Sequence, residues 1–378
     1  MSVAEFRRRV REVLETAEVR AEVAEIAAYG PERESGNPRA YGALGEHGLL
    51  APAWPVEYGG LGLGAAEAAV VTEELVYAGV PDDAHVLSVD IVGAFLLAAG
   101  TERQKAEHLP PLARGERIAT VLFTEPGCGS DLTALSTRAE REGEGWRLRG
   151  TKIYTQKSQF GDVALCAART STGPVAMHGI TLFLLPLRSA GMHVEPLPGL
   201  ANDRFSTVAI DGVLLGLESV VGAVDDGWRL MTDMLQLERT GIDFHAKARR
   251  LLDTVVARAA ATGELDDAEL AGRLAELDGA VRAGGTLAWE MVANLDRGTP
   301  DPVASAMTKW FVTEQFRPVL AAGADVFGLD GALSVHDEEA PALGQLDAAY
   351  RVGPAHRLAS GTSEVMLSVV ATAGWGLL

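Results

Sequence analysis

A glycine-rich turn that follows a β-type run has the composition of a cofactor-binding loop. The β-type run 119–123 leads into Thr124–Asp131, whose sequence is TEPGCGSD. The glycines of this turn, among them Gly129, expose successive backbone N–H groups, and Ser130 adds a hydroxyl, so the turn suits an anionic, planar cofactor. Taken alone, the same pattern is also typical of an ordinary turn in which Ser130 is only a capping hydroxyl.

Other segments strengthen the cofactor interpretation. Residues 150–155 (GTKIYT) follow an alternating hairpin pattern, and residues 361–365 (GTSEV) begin a final apolar helix. Upstream lie residues 55–62 (PVEYGGLG), and residues 100–105 (GTERQK) followed by residues 109–112 (LPPL). Together with Thr124–Asp131, these segments resemble, in order and separation, the acyl-CoA dehydrogenase family of flavoproteins over nearly the whole chain.

The spacing of apolar residues changes twice along the chain. A helical spacing is found in residues 1–117, a period of two in residues 118–218, and a helical spacing again in residues 219–378. We therefore predict an α+β fold in three parts: an N-terminal helical domain, a middle β-domain and a C-terminal four-helix bundle. The resemblance implies the same architecture.

Single elements can be predicted within these parts. The residues 142–145 (EGEG) between two alternating runs predict a hairpin turn. The other predicted strands are residues 163–168, 180–187 and 207–210, and the predicted later helices are residues 267–295, residues 302–320 and a last helix from Thr362.

Charge and composition exclude several classes of function. The formal net charge is −19, and no basic cluster with interleaved aromatic residues occurs, which argues against nucleic-acid binding. The chain shows no signal peptide and no apolar run of about 18 residues, so we expect a cytoplasmic protein without a membrane span. Cys128, Cys166 and the scattered histidines lack the spacing of metal ligands, so we expect no metal site and interpret both cysteines as packing residues.

The resemblance implies that FAD is the cofactor and that its isoalloxazine ring oxidises the Cα–Cβ bond of an acyl thioester. By the same resemblance, Thr124 and the nearby backbone contact the flavin ring, and Ser130 reaches the phosphates or the pantetheine. The implied cofactor-binding residues are Phe123, Thr124, Gly129, Ser130, Tyr154, Thr155, Gln156, Thr362 and Ser363.

Two of these positions depart from the family pattern. Tyr154 occupies the place of a family tryptophan that packs beside the ring, although a strand aromatic can also simply fill the core. Gln156 stands where the family carries a threonine or serine whose hydroxyl binds the flavin. The amide of Gln156 can make a similar hydrogen bond.

The proton acceptor is also displaced. Many family members carry a glutamate immediately before the Gly-Thr of the last helix, but this chain carries Ser360, whose hydroxyl cannot act as a base unaided. A branch that resembles isovaleryl-CoA dehydrogenase takes its glutamate from the first helix of the C-terminal bundle, just before an arginine. The chain offers Glu238 and Arg239 at that place, so the resemblance implies Glu238 as the base and Arg239 as the residue that tunes it. The alternative is a solvated ion pair on an amphipathic helix.

Two family features that hold the FAD of a neighbouring subunit are altered. In place of Arg-x-x-Phe-Gly, the chain has residues 257–263 (ARAAATG), in which Arg258 is one place out of register. In place of Gln-x-x-Gly-Gly-x-Gly-Tyr, it has residues 325–331 (DVFGLDG), whose acids disfavour an anionic cofactor. We therefore expect FAD to be held mainly within one chain, or a related subunit to supply these contacts.

The predicted function is FAD-dependent α,β-dehydrogenation of an acyl-CoA or of an acyl or aminoacyl group on a carrier protein. The predicted electron acceptor is of the electron-transfer flavoprotein type. The default assembly is a homo-tetramer or dimer, and the alternative is a hetero-oligomer. Two other functions remain open: a flavin oxidase on the same scaffold, and a catalytically weak or flavin-poor partner subunit.

Overall fold

The protein is described by a computed structural model that covers residues 1–29, 36, 38–200, 205–238 and 240–377. Two compact units make up the chain. The helical unit comprises Met1–Arg33, Gly64–Val80 and Arg239–Leu378, and the sheet-containing unit comprises Glu34–Leu63 and Pro81–Glu238.

Helices precede the sheet. They are α1 (Val3–Leu14), α2 (Ala17–Tyr29), α3 (Arg39–Gly45), α4 (Ala65–Ala78), α5 (Asp83–His85), α6 (Ala94–Ala99) and α7 (Glu102–Ala113), with a 3₁₀ turn at Val56–Tyr58 and a π-helical segment at Val86–Gly93. Side-chain caps explain where two of them begin. Ser2 accepts a hydrogen bond from the backbone of Glu5 at the start of α1, and Thr101 and Gln104 form a capping box at the start of α7.

Within the described ranges, the sheet has eight strands. They are β1 (Ala119–Leu122), β2 (Arg138–Glu142), β3 (Gly145–Thr155), β4 (Val163–Arg169), β5 (Ile180–Pro186), β6 (Met192–Leu197), β7 (Phe205–Gly216) and β8 (Val220–Val221). Their order is β6-β7-β3-β2-β4-β5-β8, and β1 pairs in parallel with β4. The predicted hairpin is confirmed, because β2 and β3 pair antiparallel up to Glu142 opposite Gly145.

The core of the sheet-containing unit forms on one face of these strands. Trp146 packs edge-to-face on Phe183, with ring centroids 5.7 Å apart, and Leu148, Cys166 and Val208 lie in the same buried cluster. Alternation along β3 places Trp146 and Leu148 on this face, as a half-buried strand requires. Period-two patterning therefore fixes which side of β3 is inside.

Helices follow the sheet. They are α8 (Gly227–Glu238), α9 (Ile242–Thr262), α10 (Ala268–Asp296), α11 (Pro302–Glu314), α12 (Phe316–Phe327), α13 (Gln345–Leu358) and α14 (Ser363–Val369), with a π turn at Val370–Gly374. The helix–sheet–helix order confirms the predicted α+β fold class. In the helical unit, Leu252, Val255, Val281 and Val319 form part of one buried cluster.

One predicted helix is wrong in its extent. The pattern over residues 302–320 indicates a single helix, but the structure ends α11 at Glu314 and starts α12 at Phe316. Pro318 explains the break. It has no N–H to donate to the carbonyl of Glu314, and its ring would clash with that carbonyl in a continuous helix.

Buried carboxylates connect the N-terminal helix to the rest of the helical unit. Glu73 and Glu74 on α4 are both buried. Arg7 on α1 lies 2.7 Å from Glu73 and 2.5 Å from Glu74, Arg11 lies 2.7 Å from Glu74, and the indole N–H of Trp289 on α10 donates to Glu73 at 3.0 Å. Each carboxylate thus has charged or polar donors, as burial of a charge demands.

Among the described residues, no helix combines the length and the apolar character needed to cross a bilayer.

Close packing makes Gly93 a sensitive position. A Cβ atom at Gly93 would lie 2.0 Å from the ring of the buried Trp54. We expect Gly93→Ala to destabilise the protein by about 1–3 kcal/mol through overpacking, seen as a lower Tm in thermal unfolding. As a control, Gly272→Ala in α10 introduces a Cβ with no atom within 4 Å and should raise stability by about 0.5–1 kcal/mol. A Gly93→Ala protein as stable as the wild type would contradict this packing.

Candidate functional site

The glycine-rich turn leaves β1 in a defined conformation. The backbones of Glu125 and Cys128 exchange two hydrogen bonds, of 2.9 and 3.0 Å, which close the turn. The side chain of Phe123 is buried and meets Phe95 edge-to-face at 6.4 Å, so this residue offers a ligand its backbone and not its ring. Thr124 is half-buried, and Ser130 is exposed at the tip of the turn.

A β-bulge at the end of β3 decides which side chains of the second segment face outward. The register with β7 shifts between Lys152 and Thr155. Tyr154 takes a left-handed backbone conformation, with φ 57°, and is 60% exposed, whereas Thr155 is buried. Without the bulge, strict alternation after Lys152 would have buried Tyr154. The structure therefore rules out Tyr154 as a core aromatic, and its ring meets Phe205 at 6.2 Å.

The turn and the end of β3 are bonded to each other. The backbone N–H of Ile153 donates to the carbonyl of Thr124 at 3.0 Å, and the hydroxyl of Thr120 donates to the carbonyl of Gln156 at 2.6 Å. The hydroxyl of Thr155 is used inside the domain, where it donates to the carbonyl of Ser206 at 3.1 Å. The fold thus brings Phe123–Thr124 and Tyr154–Gln156 together, although about thirty residues separate them in sequence.

Two charged residues of these segments were missed as site residues by the sequence reasoning. Lys152 is fully buried, and its ammonium lies 2.8 Å from a carboxylate oxygen of Glu125. It also donates to the carbonyls of Phe123 at 3.1 Å and Ala167 at 2.8 Å. The signal was present in the sequence, because period two places Lys152 on the same buried face as Leu148, where a lysine needs an acidic partner.

The carboxylate of Glu125 is equally well satisfied. One oxygen accepts from the backbone N–H of Thr137 at 2.9 Å, and the other accepts from the N–H and hydroxyl of Ser136 at 2.6 and 2.7 Å. Burial by itself would raise the pKa of Glu125. The Lys152 ammonium and the donors of Thr137 and Ser136 outweigh burial and lower that pKa to about 2. Glu125 is therefore ionised at neutral pH.

Several side chains of the two segments have polar groups to offer a ligand. In the described part of the chain, the hydroxyls of Thr124, Ser130 and Tyr154 and the amide of Gln156 have no hydrogen-bond partner. Each of these side chains is half-buried or exposed. A ring system with polar edge atoms, such as an isoalloxazine, needs such a set of donors and acceptors beside an aromatic side chain. This part of the predicted cofactor site therefore fits a flavin.

A lysine on α11 holds the segment Ser360–Ser363, at the start of the last helix. Buried Lys309 donates to the carbonyl of Gly361 at 2.6 Å and to that of His356 at 3.2 Å. Gly361 has φ 92° and Ser360 φ 53°, so the chain turns through two left-handed residues before α14. Such a turn suits Gly361 and is strained at Ser360.

Both predicted cofactor residues of this block have internal partners. The hydroxyl of Thr362 accepts from the N–H of Val365 and caps α14. The hydroxyl of Ser363 donates at 2.6 Å to Glu314, which also accepts from Arg357 at 2.7 Å. Ser363 is buried, so the side chains of this pair serve the local fold and leave the backbone for a ligand.

The predicted base lies at the edge of what the structure describes. Helix α8 has Leu230 and Met231 buried, and it ends at Glu238. The side chain of Glu238 and the whole of Arg239 lie outside the described residues. Their proposed roles stay predictions.

The turn that departs from the family pattern is occupied by its own ion pairs. Asp325 at the end of α12 lies 2.8 Å from Arg273 on α10. Asp330, in the 3₁₀ turn Gly328–Ala332, lies 3.6 Å from Arg258 on α9, whose guanidinium also stands 5.7 Å from the ring of Phe327. Because each arginine faces an acid of the same chain, these residues do not fit the diphosphate of a bound cofactor.

Both cysteines pack in the interior. Cys128 and Cys166 are free and buried. Burial raises the pKa of the Cys128 thiol and raises that of Cys166 to about 11, so neither is a thiolate at neutral pH. In the described ranges, no group of three His, Cys, Asp or Glu side chains is arranged to hold a metal ion.

Three family models match successive parts of the chain. The model of the acyl-CoA dehydrogenase N-terminal domain matches residues 3–116, that of the middle domain residues 120–213, and that of the C-terminal domain residues 225–374. Both cofactor segments of the sheet-containing unit lie within the middle match, and Gly361–Ser363 lies within the last one.

Individual relatives agree with these models. The acyl-CoA dehydrogenase FadE34 of Mycobacterium tuberculosis is 34% identical over 305 residues, which are 80% of this chain and 41% of FadE34. This chain therefore spans about two fifths of that relative's length. The solved Tcur3481-Tcur3483 steroid ACAD superposes with a TM-score of 0.88 at 28% identity, covering 100% of this chain and 96% of that one. The ChsE4-ChsE5 complex from Mycobacterium tuberculosis gives 0.83 at 25% identity, with 100% and 97% coverage.

The depressed pKa of Glu125 predicts a pH-dependent contribution to stability. The folded pKa is about 2 and the ordinary value 4.5, so the ionised carboxylate contributes fully above pH ~4.5 and loses its contribution as pH falls toward 2. We expect the difference in unfolding free energy between the wild type and Glu125→Gln to be constant from about pH 5 to 7 and to shrink below about pH 4.5. Urea titrations at several pH values measure it. Glu140→Gln, at an exposed carboxylate of β2, is the control and should differ little from the wild type. A gap for Glu125→Gln that does not change with pH would contradict this.

Proposed function

Because the chain belongs to the acyl-CoA dehydrogenase family, we propose that it catalyses the FAD-dependent α,β-dehydrogenation of an acyl thioester. The three matched domain models confirm the predicted family and its fold class. The expected cofactor and the expected reaction class, oxidation of a CH–CH bond, are those of this family. Acyl-CoA and carrier-bound acyl groups are both candidate substrates.

One observation in this chain carries the proposal. The turn after β1 and the bulged end of β3 are bonded together and present the free polar groups of Thr124, Tyr154 and Gln156. The bulge holds Tyr154 in a left-handed backbone conformation, which costs on the order of 1–2 kcal/mol. Strain of this kind typically persists where function requires a particular side-chain orientation. A surface built only for stability would not need Tyr154 turned outward.

These residues have distinct proposed roles. Thr124 and Gln156 would hydrogen-bond the polar edge of the flavin ring, Tyr154 would pack beside the ring, and Ser130 would meet the phosphates or the pantetheine. The backbone of Phe123, Gly129, Thr155, Thr362 and Ser363 completes the proposed cofactor contacts. When bound, FAD supplies the oxidant that takes the β-hydrogen with its electron pair.

The chain's own chemistry is the removal of the α-proton. We assign it to Glu238, whose carboxylate would take the proton from Cα while the Cα–Cβ double bond forms. Arg239 would hold that carboxylate ionised through its charge. Ser360 stands where many relatives have the base, and its hydroxyl supports no proton abstraction, which favours a base from α8.

The substrate and the electron acceptor are open to direct screening. The solved relative Tcur3481-Tcur3483 is a steroid ACAD, so an acyl-CoA attached to a steroid is one candidate beside short, branched and long acyl-CoAs. Acyl and aminoacyl groups on a carrier protein form the second class. An electron-transfer flavoprotein is the proposed acceptor, and O₂ would take its place if the protein were an oxidase.

A second candidate function rests on the paired arginines. Arg258 and Arg273 face Asp330 and Asp325 of their own chain, so this chain has little to give to the cofactor of a neighbouring subunit. Two similar solved structures, Tcur3481-Tcur3483 and the ChsE4-ChsE5 complex, each carry the names of two different chains. We therefore propose two alternative oligomeric states. One is a homo-tetramer or dimer, and the other is a hetero-oligomer in which this chain is a flavin-poor partner.

The visible spectrum separates the two candidate functions. We expect the purified protein to show a flavin absorption band that an acyl thioester bleaches in the absence of O₂, because the substrate's electrons reduce the flavin. The screen above supplies the thioesters. A colourless protein that becomes flavin-loaded only together with a related subunit would instead support the partner-subunit function.

The assignment of the base predicts a specific defect. Glu238→Gln removes the proton acceptor but keeps a similar shape, so bleaching by substrate should slow by about 10²–10⁴-fold while FAD stays bound. Anaerobic stopped-flow absorption measures both. Asp233→Asn, at an exposed carboxylate of the same helix, is the matched control and should bleach at the wild-type rate. Full turnover by Glu238→Gln with FAD bound would refute the assignment.

A further inference from the structure

The buried ion pair of the sheet-containing unit joins several strands at one point. Lys152 is on β3, and its three N–H donors reach the carbonyl of Phe123 after β1, the carbonyl of Ala167 on β4 and the carboxylate of Glu125. An ammonium has three donors, so the buried lysine is fully satisfied. Any shift of Phe123 away from β3 would leave a buried donor without a partner.

Glu125 extends the same network to the segment before β2. Its carboxylate binds the backbone of Ser136 and Thr137, and its own backbone closes the turn onto Cys128. The backbone of Glu125 thus closes the turn, and its side chain holds the segment that leads into β2. Glu125 directly follows Thr124, and Lys152 is two residues before Tyr154.

Stability alone does not account for such a pair. Removing two charges from water costs several kcal/mol per ion, and a matched apolar pair of similar volume is often as stable or more so. What an apolar pair cannot provide is direction, because its contacts have no fixed angles. Charge-assisted hydrogen bonds to specific carbonyl and N–H groups can hold the backbone to within about 0.5 Å.

We infer that Lys152 and Glu125 are positioning residues for the cofactor. They hold Phe123–Thr124 against Tyr154–Gln156, so that the hydroxyl of Thr124 and the amide of Gln156 are already in place when the flavin binds. The inference rests on the proposed function. Neither side chain touches the cofactor, since Lys152 and Glu125 are buried among protein groups. Their effect is exerted through the backbones of Thr124 and Tyr154.

Pairs of variants separate positioning from stability. Lys152→Met leaves Glu125 as a buried carboxylate without its counter-ion, so it should lower both Tm and FAD affinity. Combining Lys152→Met with Glu125→Gln removes both charges and should recover most of the Tm. We expect the double variant still to bind FAD at least about tenfold more weakly than the wild type, with an altered shape of the visible flavin band.

The measurement is a titration of the apo-protein with FAD, together with any subunit that co-purifies, followed by flavin fluorescence and absorption. Arg7→Met is the matched control, because it removes the counter-ion of buried Glu73 and one of the two counter-ions of buried Glu74 in the other unit. It should lower Tm without changing the shape of the flavin band. Temperatures are chosen at which every variant is folded by far-UV circular dichroism.

The possible results are distinct. Recovery of FAD affinity together with Tm in the double variant, or equal loss of affinity in Arg7→Met and Lys152→Met at equal Tm, would overturn the inference and leave the proposed function standing. A wild-type protein that binds no FAD under any of these conditions would refute the proposed function, and the positioning role with it. Weak binding by the double variant at wild-type Tm supports the inference.

Discussion

A single buried ion pair is the constraint on which the candidate site depends. Lys152 and Glu125 lie 2.8 Å apart in the interior of the sheet-containing unit, and both are saturated by protein hydrogen bonds. Because an unpaired charge at that depth would cost several kcal/mol, the strands that supply the partners cannot move independently. The ion pair therefore holds the turn after β1 and the end of β3 in one relative position. The polar groups that these two segments expose are consequently fixed in relation to one another.

The helical unit uses the same physical device. Lys309 is buried, and its ammonium donates hydrogen bonds to the carbonyls of Gly361 and His356. These bonds fix the left-handed turn that precedes α14. Glu73 and Glu74 are buried against Arg7 and Trp289. In each case a buried charge is stable only with several directed partners, so its burial specifies one arrangement of the surrounding backbone.

Prolines and long-range ion pairs explain the features that sequence reasoning handled poorly. A break after Glu314 follows from Pro318, a local signal that the apolar pattern over residues 302–320 hides. Strand β6 and helix α13 were not predicted, since β6 contains Pro196 and α13 contains Pro354, and both residues disfavour the element that surrounds them. The acids of residues 325–331 were recognised as unfavourable for an anion, but their arginine partners lie on other helices and could not be assigned.

The sequence by itself determined the family and the order of helices and strands, because motifs and periodicity are properties of neighbouring residues. It also singled out Thr124, Ser130, Gln156 and Glu238 as candidate site residues. Only the tertiary structure decided that Tyr154 points outward, that Lys152 meets Glu125, and that Arg258 and Arg273 are already paired. A bulge depends on the register between β3 and β7, and an ion pair depends on which distant segments meet. The register and the ion pairs are selected because they satisfy buried polar groups across the whole fold. A local stretch of sequence does not determine them, since the partners lie far apart along the chain.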